Sequence, residues 1–169
     1  VKSADAQAVE IEKHRETQRE APPVVAESAV SAALGAPGVR ETGPPPSVPY
    51  WVSFRGPARD GHYRERAVRT AWPATGLTPM WKQPVGGGYA SFVVAGGRAF
   101  TIEQRGPNEV VAAYDVMTGR ELWKSTWVGA FKETMGGDGP RATPTWADGF
   151  VYSLGALGEL RCLEDATGR

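Results

Sequence analysis

The sequence predicts an all-β protein of four-stranded antiparallel blades arranged as a propeller, with about two blades present. Three observations carry this prediction. The turn signature Asp/Glu-x-x-Thr-Gly-Arg occurs twice, in "YDVMTGR" (114–120) and "LEDATGR" (163–169), at an offset of 49. The stretch "ASFVVAGGRAFT" (90–101) lies over "ATPTWADGFVYS" (142–153) at an offset of 52, pairing Ala90 with Ala142, Gly97 with Gly149 and Phe100 with Tyr152. Finally, "MWKQPVGGG" (80–88) is echoed by "LWKSTWVGA" (122–130), which places Trp81 and Trp123 42 residues apart. Repeats of about 40–50 residues made of strands and turns mark propeller blades.

Taken in order, the chain divides near residue 50. All six Trp, five Tyr and five Phe lie at Tyr50 or later, while residues 1–49 hold half of the fourteen prolines. Such a segment buries too little apolar surface to offset its ordering entropy, so 1–49 reads as a disordered Ala/Pro/Glu-rich linker. Within it, Ala8 to Glu20 is charged enough for a transient helix but lacks an apolar stripe, and Ala21 to Pro49 reads as a proline-stiffened spacer. No stretch here is long and apolar enough to span a bilayer. The chain begins at Val1 and shows no signal peptide.

Residues 50–169 form the expected partial propeller. A lead-in strand near Trp81 comes first, then a blade over about 90–127 and an incomplete blade over about 142–169. In the first blade "SFVVA", "RAFTIE", "EVVAAYD" and "RELWKST" alternate apolar with polar residues and are bounded by turns. Asp115 is placed to accept turn N–H bonds, with Thr118 beside it, and Gly119 supplies the positive φ of a tight hairpin. Thr167 and Gly168 repeat the arrangement. Trp81 and Trp123 offer large flat surfaces where adjacent blades pack. The sequence stops about three residues before the next tryptophan of the repeat, which reads as a fragment of a longer propeller.

Composition narrows the function. Net charge is zero, which by itself points to no nucleic-acid or anionic-membrane partner. The single Cys162 allows neither an intramolecular disulfide nor a thiolate metal site and reads as a buried core thiol. His14 and His62 lack the nucleophile context of a triad. "GGGYAS" (86–91) and "GGDGPR" (136–141) are glycine-rich, but neither opens a helix as a phosphate cradle does.

The run "AYDVMTGRELW" (113–123) resembles the repeat of PQQ-like β-propellers of bacteria, with its Ala-x-Asp-x-x-Thr-Gly-Lys/Arg-x-x-Trp pattern. "WVSFRGPARDGHY" (51–63), "TIEQRG" (101–106) and "GDGPRATPT" (137–145) are similar to propellers of the outer-membrane-assembly and quinoprotein kinds. The resemblance covers residues 50–169. It implies that the Trp81 strand completes the last blade of a ring, as a closing clasp, and that the protein works in the periplasm or cell envelope. It also implies that partners or ligands meet the loop face, here Glu103 to Glu109 and Trp127 to Arg141. There Glu103, Gln104, Arg105, Asp138 and Arg141, with Lys132 and Glu133 nearby, are the candidate binding residues. On this reading Arg105 serves binding, and its loss costs little stability; the alternative is that Arg105 and Arg141 make ion pairs and backbone bonds that shape the loops.

Two functions stay open. One is a non-catalytic binding or assembly scaffold, with a possible protein partner or small ligand at the loop face and a possible anchor upstream. The other is a quinoprotein dehydrogenase, which such propellers implement with PQQ above a tryptophan, calcium carboxylates and a vicinal Cys-Cys ring. One cysteine cannot make that ring, and no carboxylate cluster has calcium-loop spacing, so no catalytic or metal residue is assigned. PQQ with calcium then requires residues outside this stretch.

Overall fold

The computed structural model describes residues 4–20, 51–65, 67–68 and 70–169. One helix, α1 (Ala4–Glu20), precedes two antiparallel sheets. The first has four strands in the order β1 (Val93–Ala95), β2 (Arg98–Arg105), β3 (Asn108–Asp115), β4 (Glu121–Val128). The second has three, β5 (Thr145–Ala147), β6 (Phe150–Leu154) and β7 (Leu160–Glu164). Consecutive strands in sequence are neighbours throughout, giving a propeller-like blade followed by a second unit of the same meander.

Register decides which side chains face where. β2 and β3 pair without interruption from Arg98↔Asp115 to Arg105↔Asn108. Phe100 therefore sits opposite Ala113, and Ile102 opposite Val111, on one face; Ala99 sits opposite Tyr114, and Thr101 opposite Ala112, on the other. The first face packs on Val151 and Leu163 of the second sheet, with Val93, Ala95 and Trp127 completing a shared core. Each large side chain fully buried there contributes about 1.5–3 kcal/mol.

The repeated turn and the repeated tryptophan join the sheets. Asp115 Oδ1 accepts the N–H groups of Met117 (3.0 Å) and Thr118 (2.8 Å) and the Thr118 hydroxyl (2.9 Å). Gly119 N donates to Asp115 O at 2.8 Å, and Gly168 N to Glu164 O at the same distance. Onto each turn falls an indole from the unit before. Trp81 Nε1 donates to Val116 O (2.8 Å) and Trp123 Nε1 to Asp165 O (2.9 Å), positions that are mates in the repeat. At Gly119, with φ of 68°, a Cβ would stand 2.5 Å from the Trp81 ring; at Gly168, with φ of 73°, it would stand as close to Trp123. Glycine is demanded twice over, by conformation and by the flat ring above it.

Three expectations are corrected. The N-terminal segment was expected to be disordered or weakly helical and detached; Ala4–Glu20 is helical, but it docks on β2, with Ile11 and Arg15 fully buried. Its buried stripe, Ala8, Ile11, Glu12, Arg15 and Gln18, has helical spacing but little apolar content, so no apolar pattern announces it. Residues 1–3 and 21–50 of that segment lie outside the described residues. The run around Trp81 is extended and makes only the isolated bridge Gly87↔Gln104, so it is not a strand among the described residues. Cys162 is exposed on β7, opposite Tyr152, rather than buried in the core.

Candidate functional site

The candidate residues divide between two places. Glu103, Gln104 and Arg105 are not in a loop: they form the end of β2, which turns through Gly106 and Pro107 directly into β3. All three are buried. The uninterrupted β2–β3 ladder shortens the expected Glu103–Glu109 loop to those two turn residues.

Glu103 and Arg105 belong to an ion cluster beneath α1. Arg105 Nε donates to Glu103 Oε1 (2.9 Å), Nη2 to Glu121 Oε2 (2.7 Å) and Nη1 to Glu12 Oε1 on the helix (2.9 Å). The Tyr114 hydroxyl donates to Glu103 Oε1 (3.1 Å). Arg15 descends from the helix beside it. Its guanidinium donates to Gln83 Oε1 (2.6 Å) and Pro84 O (2.7 Å) and stacks 5.0 Å from the Tyr114 ring centre. Arg15 Nε lies 3.4 Å from Glu121 Oε2, an ion pair without hydrogen-bond geometry. Burial alone pushes the Arg105 pKa down, but the Glu103 and Glu121 carboxylates outweigh it and hold the guanidinium charged. Burial, reinforced by Glu103, pushes the Tyr114 phenol up. Such a cluster, with buried charges paired and bonded, fastens the helix.

The pH behaviour of this cluster follows from two signs. Burial raises the Glu12 carboxyl, but hydrogen bonds from Lys124 and Arg105 prevail and hold it below its ordinary value. Its contribution is thus present above the unfolded pKa of about 4.3 and is lost as pH falls through the lower folded value. Tyr114 has the opposite sign: its folded pKa is raised, so its contribution is complete below about pH 10 and is lost as pH rises further. We expect α1 to stay docked between these limits and to release at acid pH before the sheets unfold. Helical circular dichroism across an acid titration checks this, with Glu12→Gln expected to remove the acid step.

Asp138 and Arg141 lie in the second place, the 129–144 loop, where it meets the glycine run 86–88. Tyr89 N donates to Pro140 O (2.8 Å), Gly139 N to Phe131 O (3.0 Å), and Phe131 N to Gln104 Oε1 (2.9 Å). Backbones approach so closely that a Cβ on Gly139 (φ 93°) would sit 2.4 Å from Gly87 O. Arg141 donates to Gly139 O, Gly137 O (2.7 Å) and Glu133 Oε2 (3.3 Å). Its guanidinium stacks 4.7 Å from the Phe131 ring centre and 5.3 Å from that of Tyr89. The result is a rigid platform from which Tyr89, 65% exposed, and Met135, 95% exposed, project. Beside it a cleft of about 320 Å³ is lined by Gln7, Ile11, Gly86, Gln104 and Asp138 among others. Gln104 and Asp138 are thus brought together; Arg105 is turned away to the ion cluster.

Sequence reasoning did not single out Tyr89, Phe131 or Arg15, whose partners are distant along the chain. Nor did it assign Glu109, fully buried, whose carboxylate accepts Trp127 Nε1 (3.0 Å) and the N–H of Ala156 (2.6 Å) and so ties the two sheets. Trp146 Nε1 donates to Asp165 Oδ2 at 2.7 Å, a further structural tie.

PQQ and calcium, which the repeat class brings to mind, need a free indole floor and a cation cage. Both repeat tryptophans are engaged with turn glycines and carbonyls, and no group of three metal-ligating side chains occurs among the described residues. The described residues do not fit that group, and no chemistry is assigned through it.

A four-stranded and a three-stranded meander, each receiving an indole on its Thr-Gly turn, are consistent with a PQQ-like repeat. In agreement, residues 107–169 match the family model described as outer membrane protein assembly factor BamB. No curated protein matches the chain. Among the described residues no helix is long and apolar enough to cross a membrane.

Proposed function

We propose that the chain acts as a non-catalytic scaffold of the bacterial cell envelope, binding other proteins at the platform of Tyr89, Phe131, Met135 and Arg141 during assembly. The observation that carries this reading is the doubly stacked Arg141, which holds an exposed Tyr89 in place before any partner arrives, with Met135 exposed nearby. Tyr and Arg are the residues that dominate binding energy at interfaces, and a preformed surface loses less entropy on association. The family description over residues 107–169, with its outer-membrane assembly role, supports a protein partner and an envelope location.

The test is photo-crosslinking in intact envelopes from position 135, with the exposed position 157 as a control. A discrete protein adduct from 135 alone is expected. Arg141→Ala should weaken its capture about 30-fold, the effect of a 2 kcal/mol hot spot. Equal adducts from both positions, or an adduct indifferent to Arg141→Ala, would contradict the proposal.

A further inference from the structure

A net charge of zero conceals a segregated distribution. Residues 54–80 contain Arg55, Arg59, Arg64, Arg66 and Arg69 against Asp60 and Glu65, a surplus of three positive charges balanced elsewhere in the chain. Arg66 and Arg69 lie outside the described residues; the inference stands on Arg55, Arg59 and Arg64, all exposed, which exceed Asp60 and Glu65 by one. Among its described residues the run forms no helix or strand, and its large apolar side chains are exposed. Phe54, Tyr63, Val68, Trp72, Leu77 and Met80 are all exposed, Trp72 and Met80 at 65% and 67%.

The loop at its start is shaped, not loose. Ser53 Oγ donates to Gly56 O (2.7 Å), Gly61 N to Arg55 O (2.9 Å), and Arg59 N to Gly56 O (3.0 Å). Arg55 and Arg59 are held at φ of 65° and 56°, a left-handed conformation that non-glycine residues adopt only when their surroundings impose it. Asp60 is occupied from within, by Arg64 at 2.6 Å and the His62 N–H at 2.9 Å. Those two bonds, the Arg64 one foremost, hold its carboxyl well below the usual range, so it stays charged and bound to the loop.

We infer that residues 54–80 are an interfacial segment that seats on an anionic lipid surface. Arginine forks suit phosphate oxygens, and aromatic rings with aliphatic side chains suit the boundary between headgroups and acyl chains. A single-stranded nucleic acid also takes arginine and aromatic side chains, but stacking offers nothing to Val68, Leu77 and Met80, whereas a bilayer accepts all three. An acidic protein surface offers charge alone to so apolar a run. This surface uses no residue of the Tyr89–Arg141 platform, so either can fail without the other.

The test uses the full 169-residue chain, with vesicles of phosphatidylcholine alone and of phosphatidylcholine with phosphatidylglycerol. Co-sedimentation is expected with the anionic vesicles at low salt and should weaken as salt rises. Each arginine near the surface is worth about five-fold in partitioning, so Arg55→Gln, Arg59→Gln and Arg64→Gln together should lower it on the order of 100-fold. A second variant, Phe54→Ser with Met80→Ser, alters only exposed side chains and should also reduce partitioning. Equal binding to both vesicle types, binding to neither, or unchanged partitioning in both variants overturns the proposal. So does a single-stranded oligonucleotide that binds where vesicles do not.

Discussion

Arg105→Ala should lower stability by about 3–5 kcal/mol, the cost of removing one partner from a buried ion cluster. Arg105 is 4% exposed, and its guanidinium answers Glu103 and Glu121, which are themselves buried, and reaches up to Glu12. Without it two carboxylates share a water-poor space beneath α1, and the helix loses an anchor along with the sheet. Arg105→Lys keeps the charge but not the fork, since one ammonium cannot repeat three directed contacts, and should fall between the variant and the native chain. Urea unfolding of the three proteins, followed by circular dichroism, checks the order. A loss no larger than that of an exposed arginine such as Arg169 would show that the cluster does not hold the helix.

Trp123→Ala should cost about 3 kcal/mol, at the lower end for deletion of a large aromatic because the ring is only partly buried. Its ring covers Gly168, lies 5.8 Å from the centre of Phe100 and donates to Asp165 O, so the substitution opens the seam between the sheets. Trp123→Phe separates the contributions. It keeps an aromatic face but drops the N–H, and should cost about 1 kcal/mol for the unmade hydrogen bond. If thermal unfolding shows both variants equally stable, packing of the ring on the turn contributes nothing.

The parts legible in the sequence are those whose chemistry is local. Asp-x-x-Thr-Gly-Arg builds its turn from side chains two and three residues away, so its repetition announces two like units and their tryptophans announce the seam. Strand β2 was legible in kind but not in extent. "EQRGPNE" carries Gly, Pro and Asn, which read as a loop, yet the chain reverses in two residues and the charged flanks stay in the ladder. Of the two readings of Arg105, binding or loop-shaping ion pairs, that difference favours the second. Helix α1 was illegible as a docked element because its buried face is carried by Arg15 and Glu12. Their partners, Glu121, Arg105 and Lys124, lie about a hundred residues away and appear only once β2–β4 have formed. Of the candidate residues, Asp138 and Arg141 lie in the loop where the sequence put them. The aromatic clamp was not foreseen, since Tyr89 and Phe131 meet Arg141 only through the crossing of two glycine runs.

The claim on which the rest depends is that consecutive units are locked by an indole seated on the next turn. Hydrogen exchange at the indole Nε1 positions measures it directly. The Trp81 and Trp123 N–H groups, bonded to Val116 O and Asp165 O, should exchange far more slowly than a free indole, and Trp123 should lose that protection when Gly168→Val lifts the ring. Exchange of both at the free-indole rate in the native chain would contradict the account.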